Sequence, residues 1–384
     1  MHPLRPESSP GPLMGRRYFL EVTGAGVAAV ALGGAGGLWP RSANAVEGTV
    51  RWVSPRGTIE VLDDYPYWIA RKYGYFGDIE TTLEPGPMEA TATIKLVDQG
   101  QADVGFPSPG VFSLGLEQGI PLVSVWHMGA YDVFSFAFRK GDKPAAVSDL
   151  AGKTILLGSA GWQSIVDPML AQAGVDPANV NYAEAGNLWG QALMQGQGDA
   201  ALSWEGLRAQ WTGQGLDFDY ILPTEFSKFP ANSFVIRLSD FEDDSKTGLY
   251  EAYFRAWAMG LEFGYLNPRA TTDLVLQQFP ALASTLTPEV ATESMMQLAN
   301  VFRGDWEQRE GWGWHDIAQW RLFFDTIHDI GQISRPIAPE DVLSNKYVPA
   351  ANQFDAARVK GDADAYQLPA EFEAVDVAAI QARL

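Results

Sequence analysis

The side chains able to do chemistry are few and sit at the ends of short apolar runs. Asp63 and Asp64 stand in "EVLDDYPYW", and Glu205 stands in "ALSWEG". Carboxylates brought together in a cleft can exchange protons with a substrate, or accept N–H groups from a bound one. Other reactive constellations are missing. The chain has no cysteine, which excludes disulfides, thiolate metal sites, cysteine nucleophiles and lipid-modified cysteine. The histidines are His2, His127, His315 and His328, and none has metal-ligand spacing. There is no G-x-S-x-G elbow and no phosphate loop; the run "GAGVAAVALGGAGG" follows no strand. No catalytic residue, metal site or cofactor is therefore expected, and the residue types point to binding.

The candidate ligand contacts lie in loops that follow apolar strands. After the first strand come Asp63, Asp64, Tyr65 and Tyr67; Ser108 follows Phe106-Pro107. In "GSAGWQS", Ser159, Gly161, Trp162 and Gln163 precede or open a helix, whose free N–H groups suit a polar oxygen while Trp162 offers a stacking face. Trp204 and Glu205 end a later strand, and Asn232 precedes another. Aromatic faces beside carboxylates suit a flat nitrogen heterocycle. A sulfonate, taurine or nitrate is the alternative ligand, leaning on the Ser159–Gln163 turn and on Arg56. Trp306, Trp312, Trp314, His315 and Trp320 crowd one short span and read mainly as core anchors.

The elements that carry these loops alternate. Strands are expected at 49–54, 81–84, 104–106 and 122–126, with helices at 65–76, 90–99 and 114–119. A β-rich run at 133–139 opens a second series: strands at 154–157, 181–185, 200–204 and 220–222, helices at 163–172 and 188–194. A strand at 233–237 returns to the first series. Residues 246–330 read as mainly helical, and the last 50 as irregular, rich in proline and acid. The pattern predicts α/β sheets with mostly parallel strands. One unit occurs twice, as "VDQGQADVGF" and "LMQGQGDAALSW". Each has helix, Gln-Gly-Gln turn, Asp, strand and abrupt loop, so two similar halves can face each other across a cleft.

The boundaries expected from this are 46–135 plus 233–345 for lobe 1, 136–232 for lobe 2 and 346–384 for a C-terminal tail. Residues 1–45 read as a twin-arginine-type signal peptide: Arg16-Arg17 before Phe19-Leu20, a Gly/Ala-rich run, then Ala43-Asn44-Ala45 with cleavage after Ala45. The chain has 27 basic and 47 acidic residues; removing 1–45 takes four basic and two acidic and leaves a net charge of −22. Such a surface repels nucleic acid and anionic membranes.

Four stretches together resemble the periplasmic solute-binding proteins of ABC importers in the nitrate, sulfonate, taurine and thiamine-precursor (pyrimidine) class. They are "YWIARKYGYF", "IKLVDQGQADVGF", "GIPLVSV" followed by "DLAGKTI", and "GDAALSWEG". The resemblance spans about residues 48–345. It implies a type 2 periplasmic-binding fold, two α/β lobes joined by two crossing strands that close over a small molecule. It also implies a periplasmic, monomeric protein that is exported by the twin-arginine machinery and delivers its ligand to an ABC permease in the inner membrane without chemistry. The chain has no counterpart of the cysteine-containing motif of the thiamine-precursor branch. A ligand-sensing partner of a membrane receptor, or a secreted enzyme on the same scaffold, would share the same scaffold features.

Overall fold

The computed structural model describes residues 46–87 and 91–384. The signal-peptide reading of residues 1–45 and the expected helix start at Ala90 lie outside them. Among the described residues no helix is long and apolar enough to cross a membrane.

The first lobe opens with β1 (Gly48–Val53), α1 (Tyr65–Lys72), β2 (Ile79–Glu84), α2 (Ala92–Asp98), β3 (Val104–Gly105), α3 (Pro109–Glu117) and β4 (Leu122–His127). The second holds β5 (Phe134–Arg139), β6 (Thr154–Leu157), α4 (Gln163–Gln172), β7 (Asn181–Glu184), α5 (Trp189–Met194), β8 (Ala200–Trp204), α6 (Leu207–Gly213), β9 (Phe218–Ile221) and α7 (Pro223–Phe226). The chain then returns through β10 (Ser233–Arg237) to α8 (Leu238–Phe241), α9 (Thr247–Leu266), α10 (Pro268–Gln278), α11 (Pro280–Ala283), α12 (Pro288–Arg303) and α13 (Ile317–Asp329).

The strands form two five-stranded sheets, ordered β2-β1-β3-β10-β4 and β7-β6-β8-β5-β9. In each, the first three strands are parallel and the fourth runs antiparallel to both neighbours. The sheets are thus mixed, where alternation alone points to mostly parallel pairing. The cause is the crossing. β5 and β10 each arrive from the other lobe and start at the cleft, Phe134 opposite Trp204 and Ser233 opposite His127, so they run away from it. This is the periplasmic-binding fold with two lobes and two crossing segments.

The repeated Gln-Gly-Gln unit does the same work twice. Gly100 and Gly196 take φ of 69° and 75°, which glycine adopts without strain. The Asp that follows each turn then accepts from the first parallel strand of its sheet. Arg51 N donates to Asp103 Oδ2 at 2.9 Å, and Thr154 N donates to Asp199 Oδ2 at 2.8 Å. These carboxylates fix the far end of each sheet and leave the opposite loops for the cleft.

Three local expectations change. The helix expected at 114–119 starts earlier, at Pro109, because Ser108 caps it by accepting from Val111 N. α6 was not expected, although Leu207 and Trp211 share its buried face. The C-terminal residues are not irregular but form α14 (Pro339–Val342), α15 (Val348–Ala351), α16 (Ala356–Asp364), α17 (Ala370–Glu373) and α18 (Val377–Gln381). Their prolines and acids are start signals: Asp355 accepts from Arg358 N and Asp376 from Ala379 N. α14 packs on α13 and β4, α15 and α16 on α9, α17 on α10 and α12, and α18 on α12 of the first lobe, and Arg383 pairs with Glu289 and Glu293.

Candidate ligand-binding cleft

The loops that end β1, β3, β6 and β8 converge with the two crossing segments and the last turns of α12 around one cavity of about 130 Å³. α6 of the second lobe packs on α12 of the first. Gly206 N donates to Gln297 Oε1 at 2.9 Å, Ser294 Oγ donates to Gly206 O at 2.7 Å, and Gln210 Nε2 donates to Ser294 Oγ at 3.0 Å. A second contact lies nearby, where Gln332 Nε2 donates to Ser164 O at 3.3 Å. The lobes are closed on each other with the cavity between them.

Its walls are mainly apolar. Trp162 and Trp204 form a corner, ring centroids 5.9 Å apart at 86°. Trp189 backs it, stacked on Trp204 at 5.7 Å and 21°, with its indole donating to Leu202 O at 2.8 Å. Trp211 backs Trp189 in turn at 5.4 Å. Gly158 makes room: a Cβ there would lie 2.5 Å from the Trp162 ring. From the first lobe, Phe106 closes the opposite side, stacked on Phe234 at 4.7 Å, and Val301 and Phe302 come from α12.

One end of the cavity is charged. Arg56 donates to Asp64 and stands 3.5 Å from Asp63 Oδ2. Burial pushes both carboxyls above their ordinary range and Arg56 opposes the shift; Asp64 adds to the rise at Asp63. From the other lobe, Trp204 helps to hold the Asp63 carboxyl down. Asn232 donates from Nδ2 to Phe106 O at 3.3 Å, while its Oδ1 is buried with no protein partner.

Of the residues singled out in the sequence, Asp63, Ser108, Trp162, Trp204 and Asn232 line the cavity, as does Arg56. The others lie elsewhere. Asp64 is buried behind Asp63 on Arg56. Tyr65 is in the core against Phe302 and Gly264, and Tyr67 in the core against Trp52 and Trp68. Ser159 precedes the short turn Ala160–Trp162, and Gly161 O accepts from Ser164 Oγ. Gln163 donates to Asp167 along α4. Glu205 pairs with Arg208, Oε2 to Nη2 at 2.8 Å. Sequence reasoning missed Ile165, Val133, Phe134, Leu298, Val301 and Phe302. The α12 members share one helix face at i, i+3 and i+4, which marks burial but not a cavity. None of Trp306, Trp312, Trp314, His315 and Trp320 lines the cavity; Trp312, His315 and Trp320 are buried in the first lobe. Among the described residues no group of His, Asp and Glu could hold a metal ion.

The chain has the periplasmic-binding fold. It belongs to the NMT1/THI5-like family, whose model matches residues 63–271. Three solved structures are similar. One is the alkanesulfonate-binding protein SsuA from Xanthomonas axonopodis pv. citri bound to MOPS (13% identity, 79% of this chain and 99% of that one, TM-score 0.57). Another is the ligand-binding component of an ABC-type import system from Staphylococcus aureus (12%, 79% and 99%, 0.58). The third is a DszB mutant in complex with biphenyl-2-sulfinic acid (13%, 80% and 100%, 0.51). At these identities the likeness is one of fold. No curated protein matches the chain.

Proposed function

We propose that this protein is the extracytoplasmic solute-binding component of an ABC importer, and that its two lobes close over a small aromatic solute, best a nitrogen heterocycle. The observation that carries the reading is the cavity between the lobes, with a tryptophan corner on one side and buried polar atoms without a protein partner, Asn232 Oδ1 and Arg56 Nε, on the other. Its size suits about one aromatic ring, since a dry cavity of about 150 Å³ takes benzene. The import role follows the family membership and the Staphylococcus aureus neighbour. Export to the periplasm rests on Arg16-Arg17 and Ala43-Asn44-Ala45 alone.

An alkanesulfonate fits less well. Among the described residues the one cationic side chain at the cavity, Arg56, is engaged by Asp63 and Asp64, so an anion would meet a carboxylate first. Acid–base catalysis also lacks a pair, because Glu205 is paired with Arg208 away from the cavity and Asp63 is held by Arg56 and Trp204. The test is native mass spectrometry of the purified protein, followed by a thermal-shift screen of heterocycles, aromatic acids, amines and sulfonates. A bound or stabilising aromatic solute supports the reading. A shift with alkanesulfonates alone overturns the ligand assignment.

A further inference from the structure

The charged end of the cavity has an excess carboxylate. Among the described residues, Arg56 is the only basic one lining it, and two carboxylates share that guanidinium. Asp64 has the closer contact and lies behind; Asp63, 3.5 Å from Arg56, is the one that lines the cavity. A structural ion pair would be complete with Asp64 alone. Asp63 therefore presents to the ligand a carboxylate that no basic side chain fully offsets, in surroundings where charge interactions are weakly screened. Two further polar atoms of described lining residues have no protein partner: Asn232 Oδ1, an acceptor, and Arg56 Nε, a donor. Asp63 and Asn232 Oδ1 favour a ligand rich in N–H donors, while Arg56 Nε can take one acceptor on it. The Trp162–Trp204 corner adds two ring faces, whose negative quadrupoles attract a cation.

We infer that the solute is a ring-sized organic monocation bearing N–H groups, its charged nitrogen against Asp63 and its ring in the tryptophan corner. This rests on the solute-binding reading above and narrows its ligand class. It accounts for three features at once: the surplus carboxylate, the unpartnered amide oxygen and the aromatic walls. A neutral ring would leave Asp63 uncompensated in a closed site, and an anionic one would oppose it.

Three probes of nearly one shape separate the cases: benzamidine (cation), benzamide (neutral) and benzenesulfonate (anion). Isothermal titration of the purified protein should give benzamidine binding at least about tenfold tighter than benzamide, and no binding of benzenesulfonate. In Asp63→Asn, benzamidine should fall to the affinity of benzamide. Equal or tighter binding of benzamide overturns the inference, as does binding of benzenesulfonate; either leaves the solute-binding reading in place. Failure of all three at about 10 mM, where a weak fragment of this size should register, also overturns the inference. The solute-binding reading then stands or falls on the native-mass result. If Asp63→Asn does not fold, the three-probe comparison on the unsubstituted chain decides alone.

Discussion

Asp63 and Trp204 face one cavity from opposite lobes: the carboxylate that follows β1 and the indole at the end of β8 both line it, and Trp204 helps to hold the Asp63 carboxyl down. This pairing exists only while the lobes are together. It therefore biases the hinge toward closure, and a ligand between the two residues adds to the same bias. Trp204→Phe keeps a ring face and removes the donor. A hydrogen bond to a charged group contributes about 1.5–3 kcal/mol, so affinity for an aromatic solute should weaken by about 10- to 100-fold. Titration calorimetry measures this; unchanged affinity would show that the indole N–H has no part in closure.

A second clasp lies outside the cavity. Gly206 is held at both N and O by Gln297 and Ser294 of α12, and its φ of 90° is one that other residues rarely adopt. A Cβ at this position would lie 2.6 Å from Leu298. Gly206→Ala should thus strain the turn and wedge α6 off α12, at a cost of about 1–3 kcal/mol to the closed arrangement. Small-angle scattering should show a larger radius of gyration for the ligand-free variant, with circular dichroism unchanged. A variant as compact as the parent would remove Gly206 from the closing contact.

The two lobes were legible because their signals are local: the Gln-Gly-Gln turns, and strand ends that run into Ser108, Trp162 and Trp204. The loop rule placed Asp63 at the cavity but gave no way to rank it above Asp64 or Tyr65. One residue along the loop turns the side chain behind Asp63 onto Arg56, and one more turns it into the core. The α12 wall was not legible at all. Phe302 lies some two hundred residues from Phe106 in sequence, and only packing brings them to one cavity. The mixed sheets escaped for the same reason, since strand direction depends on which lobe the chain arrives from. The tail's prolines and aspartates, in contrast, are readable as helix starts, since Pro339 opens α14 and Asp355 and Asp376 accept from the first turns of α16 and α18.

The two crossing segments are tied by Asp132. Its Oδ1 accepts from Phe134 N at 3.0 Å and its Oδ2 from Ser227 Oγ at 2.5 Å. Burial pushes the carboxyl up to about 7, against the pull of the Ser227 hydroxyl and the Phe134 and Val133 amides. An acid raised in the folded state binds more protons folded than unfolded between the two values. Its contribution is full below about 4 and is lost as pH rises to about 7. Asp132→Asn removes that loss. The stability of the variant relative to the parent should rise between pH ~5 and ~7 by about 2–3 kcal/mol and level off above. Urea unfolding across this range measures it; a constant difference would mean that Asp132 does not titrate there.

His315 acts in the opposite sense over much of the same range. It is buried, its Nδ1–H donating to Asn345 Oδ1 at 2.9 Å and its Nε2 accepting from Ser124 Oγ at 2.7 Å. Its ring stacks on His127 at 5.5 Å and 15°, with no carboxylate in this contact to welcome a charge. Burial pushes His315 down to about 4, the Asn345 bond opposes this, and Arg309 adds to it. The unfolded chain therefore binds the extra proton between about 4 and about 6.5, and the stability His315 contributes is lost as pH falls through that window. His127 is also held well below its ordinary value, by burial first and then by His315. Two histidines against one aspartate give a net loss toward acid, so among these three groups stability should peak at about pH 6–7. His315→Gln, which can still donate and accept, should remove about one proton from the acid limb and lower the midpoint of acid unfolding. Melting temperature followed from pH ~4 to ~7 gives the slope for both proteins. Identical slopes would show that His315 is not the group whose protonation opens the first lobe.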